Sequence, residues 1–161
     1  MNIVIANRQR ARKINSRLLK EIAGALLADL EIGEAELGVN LVAAREMTLI
    51  NETFLRHEGS TDVITFDYSN AECGVRSAES KVHGEIFICV DEAIEQAKKF
   101  RSTWQSEIVR YLVHGVLHLL GHDDRRAAAR RRMKREENRR LAGLSKKFNL
   151  AQIGGASKLR A

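Results

Sequence analysis

Hydrophobic positions change period several times along the chain, and each change marks an element. Ile3 to Ala6 is a short apolar run that predicts a strand. Ile14, Leu18, Ile22 and Leu26, flanked by Leu19, Ala23, Leu27 and Leu30, recur at helical spacing and predict a helix with one face in the core. Leu37 to Ala43 alternates through Val39 and Leu41 as a strand does, Thr48 to Leu55 reads as a short helix, and Val63 to Phe66 is β-rich. Val82 to Val90 predicts another strand. Asp91 and Glu92 then open a helix through Ile94 and Ala97 to Phe100, because acids are favoured at the positive end of a helix.

Ser102-Thr103-Trp104-Gln105 has the S-x-x-Q form of a capping box, and the run from Trp104 to Leu120 that follows is apolar on nearly every side. That pattern predicts a buried central helix. Gly121 stands where such a helix ends in a left-handed turn, and the arginine-rich segment beyond it predicts a last helix to about Leu141. The order βαβαββααα predicts an α+β fold, one small mixed sheet packed with helices. No proline, internal repeat or low-complexity linker divides the chain. A single domain is therefore expected over residues 1–146, with residues 147–161 as a basic, flexible tail.

Composition narrows the class. With 161 residues, 44% hydrophobic and 30% charged, the chain can build a core and is neither membrane-embedded nor fibrous. No apolar run approaches the roughly 20 residues of a membrane span, and the apolar start is too short for a signal peptide. Two cysteines, Cys73 and Cys89, have neither metal nor redox spacing, which points to a reducing cytoplasm. The net charge of +6 is unevenly spread. Residues 1–20 hold six basic groups and no acid, residues 21–124 hold eight basic against 19 acidic, and residues 125–161 hold 13 basic against two acidic. Basic ends around an acidic body fit a polyanionic partner such as RNA, since Lys and Arg displace phosphate counterions; a solvated basic helix is the plainer alternative for the run from Arg125 to Arg135.

Chemistry concentrates on the buried helix. His114 and His118 are four residues apart, so their imidazoles lie on one face and can grip one metal ion, as in zincins. A third ligand must come from chain that turns back. His122, on a continued helix, would lie about 12 Å from His114, too far to share an ion. Gly121 permits a turn, and Asp124 completes H-x3-H-x2-G-x2-D, a metzincin-like layout ending in an acid, with His122 as a neighbouring or substrate-facing imidazole instead. Three protein ligands leave a position for water, the mark of a catalytic zinc. The residue after the first histidine is Gly115, where a metalloprotease carries its general-base glutamate, so a phosphodiester suits the site better than a peptide.

The segment HGVLHLLGHDD, His114 to Asp124, resembles the signature of the YbeY family of bacterial endoribonucleases. The resemblance extends to Asn51 with Phe54, to Thr61-Asp62-Val63-Ile64-Thr65-Phe66, to Gly84-Glu85-Ile86-Phe87-Ile88, and to Met133 with Glu137, covering roughly residues 47–140 in the family's order. It implies a small α+β fold distantly like metzincins, one zinc ion, and metal-dependent cleavage of single-stranded RNA in ribosomal RNA maturation and ribosome quality control. The implied partners are ribosomal RNA and the small subunit, with no membrane. Carried over by position, His114 and His118 are ligands, and Asp124 stands where most members have histidine, while His122 falls where tyrosine is common. Leu55 occupies the place of an arginine that many members use on phosphate. Arg56, next along, is the candidate to replace it beside His114 in catalysis; otherwise a lysine or arginine from a chain end does so, and Arg56 is a solvated arginine at a helix end. Two other readings accompany the nuclease: a non-catalytic, metal-stabilised RNA- or ribosome-binding factor, and a peptidase.

Overall fold

The computed structural model describes residues 1–69 and 81–155. Its elements follow the expected order: β1 (Asn2–Asn7), α1 (Ser16–Asp29), β2 (Glu34–Val42), α2 (Ala44–Phe54), β3 (Val63–Asp67), β4 (Lys81–Cys89), α3 (Val90–Phe100), α4 (Trp104–Leu119) and α5 (Ala127–Lys147), closed by a 3-10 turn at Leu150–Gly154. The sheet is mixed, in the order β1-β2-β4-β3, with β1, β2 and β4 parallel and β3 antiparallel at the edge.

Period-two alternation buries Ala35, Leu37, Val39 and Leu41 of β2 in the main core, while Glu34 and Glu36 of the same strand stay in solvent. Leu19, Ile22, Ala23, Leu26 and Leu27 of α1 join that core, as do eight residues of α4. A second, smaller cluster joins Met47 and Ile50 of α2 to Val42, Ile64 and Cys89, with Phe66 and Phe87 packed against it. Cys89 is a buried thiol; Cys73 lies outside the described residues.

Several boundaries differ from expectation, each for a physical reason. α2 begins at Ala44, ahead of the expected Thr48, because its first N–H donates to Asp91 Oδ2 of α3 at 2.7 Å, a cap supplied from 47 residues away. The α4 cap is Thr103, whose hydroxyl accepts from Ser106 N at 3.1 Å, one residue later than the expected Ser102. Ser102 instead donates from its hydroxyl to Glu107 at 2.8 Å. α5 runs on past Leu141 because Leu144 continues its buried stripe. Beyond it the chain stays attached through residue 155: Ile153 is buried, its carbonyl accepts from Asn15 N at 2.8 Å, and Asn149 caps the closing turn. The segment expected to be a loose tail from residue 147 is thus partly fastened to the core, and residues 156–161 lie outside the described ones.

Candidate metal centre

α4 packs so closely on β4 that a Cβ at Gly115 would meet the Ile86 side chain at 2.8 Å. Gly115 is therefore fixed by packing, and the position a protease would give to glutamate has no room for a side chain. His114 and His118 stand about 100° and 60° round the helix from Gly115, about a quarter exposed, on the edge of the core. The helix then closes in a Schellman motif: Gly121 (φ 95°) donates to His118 O at 2.9 Å, and His122 N to Leu117 O at 3.0 Å. Asp123 accepts from Arg125 N at 2.8 Å and turns the loop towards α5. This double turn carries Asp124 back to the histidines.

Three ligand atoms face one another there. His114 Nε2 and His118 Nε2 are 3.0 Å apart, and Asp124 Oδ2 is 3.6 Å from the second and 4.0 Å from the first. Two ligands at about 2.0–2.1 Å from a tetrahedral zinc stand roughly 3.3–3.4 Å apart, so the observed spacings bracket what one ion requires. The group can hold a metal ion. His122 approaches the His118 ring through its backbone, and its own ring does not join the group.

Glu137 is the member that sequence reasoning left without a role. It is buried on α5, and its Oε1 engages His114 Nδ1. A carboxylate there holds the proton on Nδ1 and leaves the Nε2 lone pair facing His118 and Asp124. The signal was present: Met133, Glu137, Leu141 and Leu144 form the buried stripe of α5, so an acid occupies an apolar position. Burial opposes charge on the His114 ring, but Glu137 outweighs it and raises the pKa above the usual histidine value. Burial and the neighbouring His114 act together on His118 and lower its pKa.

A cleft of about 260 Å³ opens beside the group, lined by Asp62, Arg110, Tyr111, His114, Asp124, Arg130, Met133, Lys134 and Glu137. Asp62 enters it from the start of β3, where its side chain accepts from Val63 N at 2.8 Å. The Tyr111 hydroxyl is buried without a hydrogen-bond partner among the described residues. Arg56 does not line the cleft: it sits exposed on the turn after α2 in a left-handed conformation, φ 55°. The cations that do line it, Arg110, Arg130 and Lys134, come from α4 and α5.

The family model for Endoribonuclease YbeY matches residues 4–145. The chain belongs to the YbeY family. The Chlorobium phaeovibrioides endoribonuclease YbeY is 33% identical over 158 residues, covering 95% of this chain and 100% of that protein. Its Syntrophotalea carbinolica counterpart is 35% identical over 125 residues, 77% of this chain and 81% of the relative. The Myxococcus xanthus member is 39% identical over 111 residues, 69% of this chain but 37% of its own greater length. A Thermotoga maritima protein solved in solution has the same fold, with a TM-score of 0.66 at 23% identity over 99% of this chain and 100% of that one. The YbeY family comprises RNA hydrolases of ribosomal RNA processing, in agreement with the resemblance read from HGVLHLLGHDD.

Proposed function

We infer that this chain is a metal-dependent endoribonuclease of ribosomal RNA processing, with one zinc ion held by His114 Nε2, His118 Nε2 and Asp124. The observation that supports this best is the convergence of three ligand atoms within 3.0–4.0 Å on a cleft rimmed by Arg110, Arg130 and Lys134. A bound zinc supplies Lewis-acid stabilisation of charge developing on a phosphate oxygen and acidifies a water. The chain's own residues do the rest. Glu137 fixes the His114 tautomer and ring plane, Asp124 adds a negative charge that favours a divalent cation, and the cleft cations orient a phosphodiester against the site. The phosphate-binding part expected of Arg56 falls to these cations, since Arg56 does not line the cleft. The neutral packing at Gly115, without a general base, favours RNA over peptide.

The expected substrate is single-stranded ribosomal RNA, including the maturing 3′ end of the small-subunit RNA, encountered on the small subunit in the cytoplasm. No helix among the described residues is long and apolar enough to cross a membrane. The non-catalytic alternative lacks a supporting observation, because a purely structural zinc takes four protein ligands and three converge here among the described residues. Metal analysis and RNA cleavage on wild type, His122→Ala and Asp124→Ala test the reading together. One equivalent of zinc and cleavage in wild type and His122→Ala, both lost in Asp124→Ala, is the expected result. Equal loss in the two variants overturns the ligand set, and intact RNA with zinc-loaded wild type overturns the activity.

A further inference from the structure

α5 has two electrostatic halves. Its last turns hold cations with carboxylate or carbonyl partners: Arg140 Nε meets Glu136 at 2.7 Å, Arg140 also donates to Asp29 O at 3.1 Å, and Lys147 Nζ meets Asp29 at 2.8 Å. The first half, Ala127 to Arg135, holds Arg130, Arg131, Arg132, Lys134 and Arg135 and no acid. Among the described residues none of these five has a carboxylate within 4.0 Å; Arg130 reaches only the carbonyls of Asp124 and Arg125, at 3.5 and 3.4 Å. Their placement is also unfavourable to the helix. The N-terminal end of a helix is its positive pole, and here no acid stands in the first turn and the N-cap residue, Arg126, makes no side-chain capping bond. The five unpaired cations repel one another, and Arg130, nearest the positive pole, also opposes the dipole.

The same residues outline a groove of about 590 Å³, lined by Ala127, Arg130, Arg131, Lys134 and Arg135. Arg130 and Lys134 line both this groove and the cleft at the metal centre, so the two concavities adjoin along one ridge. The four cations fall at i, i+1, i+4 and i+5, two parallel rows about 100° apart round the helix, each with its two members about 6 Å apart along the axis. The inner row faces the metal site and the outer row faces away from it.

We propose that this groove is the track of the substrate strand beyond the scissile phosphate: a single RNA strand leaves the metal cleft between Arg130 and Lys134 and lays its next phosphates on Arg131 and Arg135. This rests on the nuclease reading above and adds to it a requirement for flanking nucleotides on one side of the cut. The track follows the backbone and reads no base, because the groove lining is cationic and carries no aromatic ring on which a base can stack.

The test uses the full chain with its metal and a labelled RNA strand of about twelve nucleotides, a usual single-strand site size, mixed and read faster than it is cleaved. Affinity is measured between about 50 and 200 mM salt, a range over which phosphate contacts are strongly screened. Arg131→Gln combined with Arg135→Gln removes two phosphate contacts, and the log–log salt slope falls by about 1.4 at roughly 0.7 per contact. The variant's loss of affinity is then about sevenfold larger at the low-salt end than at the high-salt end. Lys98→Gln combined with Lys99→Gln removes the same charge from α3 and keeps the wild-type slope. The α5 variant melts at or above the wild-type temperature, since no native contact is lost. An unchanged slope in the α5 variant, or an equal change in the α3 variant, overturns the track. Wild type that cleaves RNA while the slopes coincide overturns the track alone, and wild type that neither binds nor cleaves RNA overturns both readings. Polyglutamate bound as tightly as RNA, with the same loss in the α5 variant, assigns the groove to an acidic protein and overturns it as well.

Discussion

Glu107 and Glu137 are both carboxylates withdrawn from solvent, 8% and 7% exposed, the first on α4 and the second packed against it from α5. Glu107, near the start of α4, takes a hydrogen bond from the Ser102 hydroxyl of the preceding turn. Glu137 reaches α4 from α5 and engages His114, with Arg110 at 3.8 Å from its other oxygen. Burial by itself does not separate the two. The partner does: a serine hydroxyl closes off a polar group and fixes a helix end, whereas an imidazole whose other nitrogen faces two further ligands passes the carboxylate's influence on to a third party. A buried acid therefore reads as functional when its partner still has an unspent donor or acceptor aimed at open space.

Experiments can break or sharpen that contrast. The largest effect is expected at the ligands: His114→Ala or Asp124→Ala should strip the metal from the purified protein, measured by elemental analysis, and abolish RNA cleavage. Glu137→Gln should keep the fold, by circular dichroism, and lower metal affinity or cleavage about 10–100-fold. A change under about twofold would place Glu137 with Glu107. Glu107→Gln should leave metal content unaltered and cost about 0.5–1.5 kcal/mol of unfolding free energy in a denaturant titration. His122→Ala should stay within about 0.5 kcal/mol of wild type with a full complement of metal, because its backbone, retained in alanine, makes the observed contacts.

The legible part of this molecule is the part governed by local rules. α4 is legible from its apolar run, and Gly121 from the turn only a flexible backbone makes easily; together they bring His114, His118 and Asp124 into one group, as the structure has them. What stayed hidden depends on pairs distant in sequence. The start of α2 is set by Asp91, and nothing between Ala44 and Thr48 reveals it. The α4 cap slipped by one residue because Arg101 turns left-handed at φ 55° and leaves Thr103, not Ser102, in the capping position. Glu137 was visible as a residue matching the family, but its task needed α5 folded back on α4. The cleft cations were hidden for a different reason. Arg130 and Lys134 sit in a run of like residues where composition points to a basic chain end but cannot say which members face the site, whereas Arg56 is singled out only by standing next to the substituted position.

The contact of Gly115 with Ile86 also bears on what this scaffold can become. A mutational path towards peptide hydrolysis would install an acid beside the first histidine, yet a side chain there must push a helix off the strand beneath it, with a buried carboxylate left in the gap. Every intermediate on that path is a destabilised protein before it is a new enzyme. The distance between one helix and one strand thus acts as an evolutionary barrier, confining the site to substrates that need no such base.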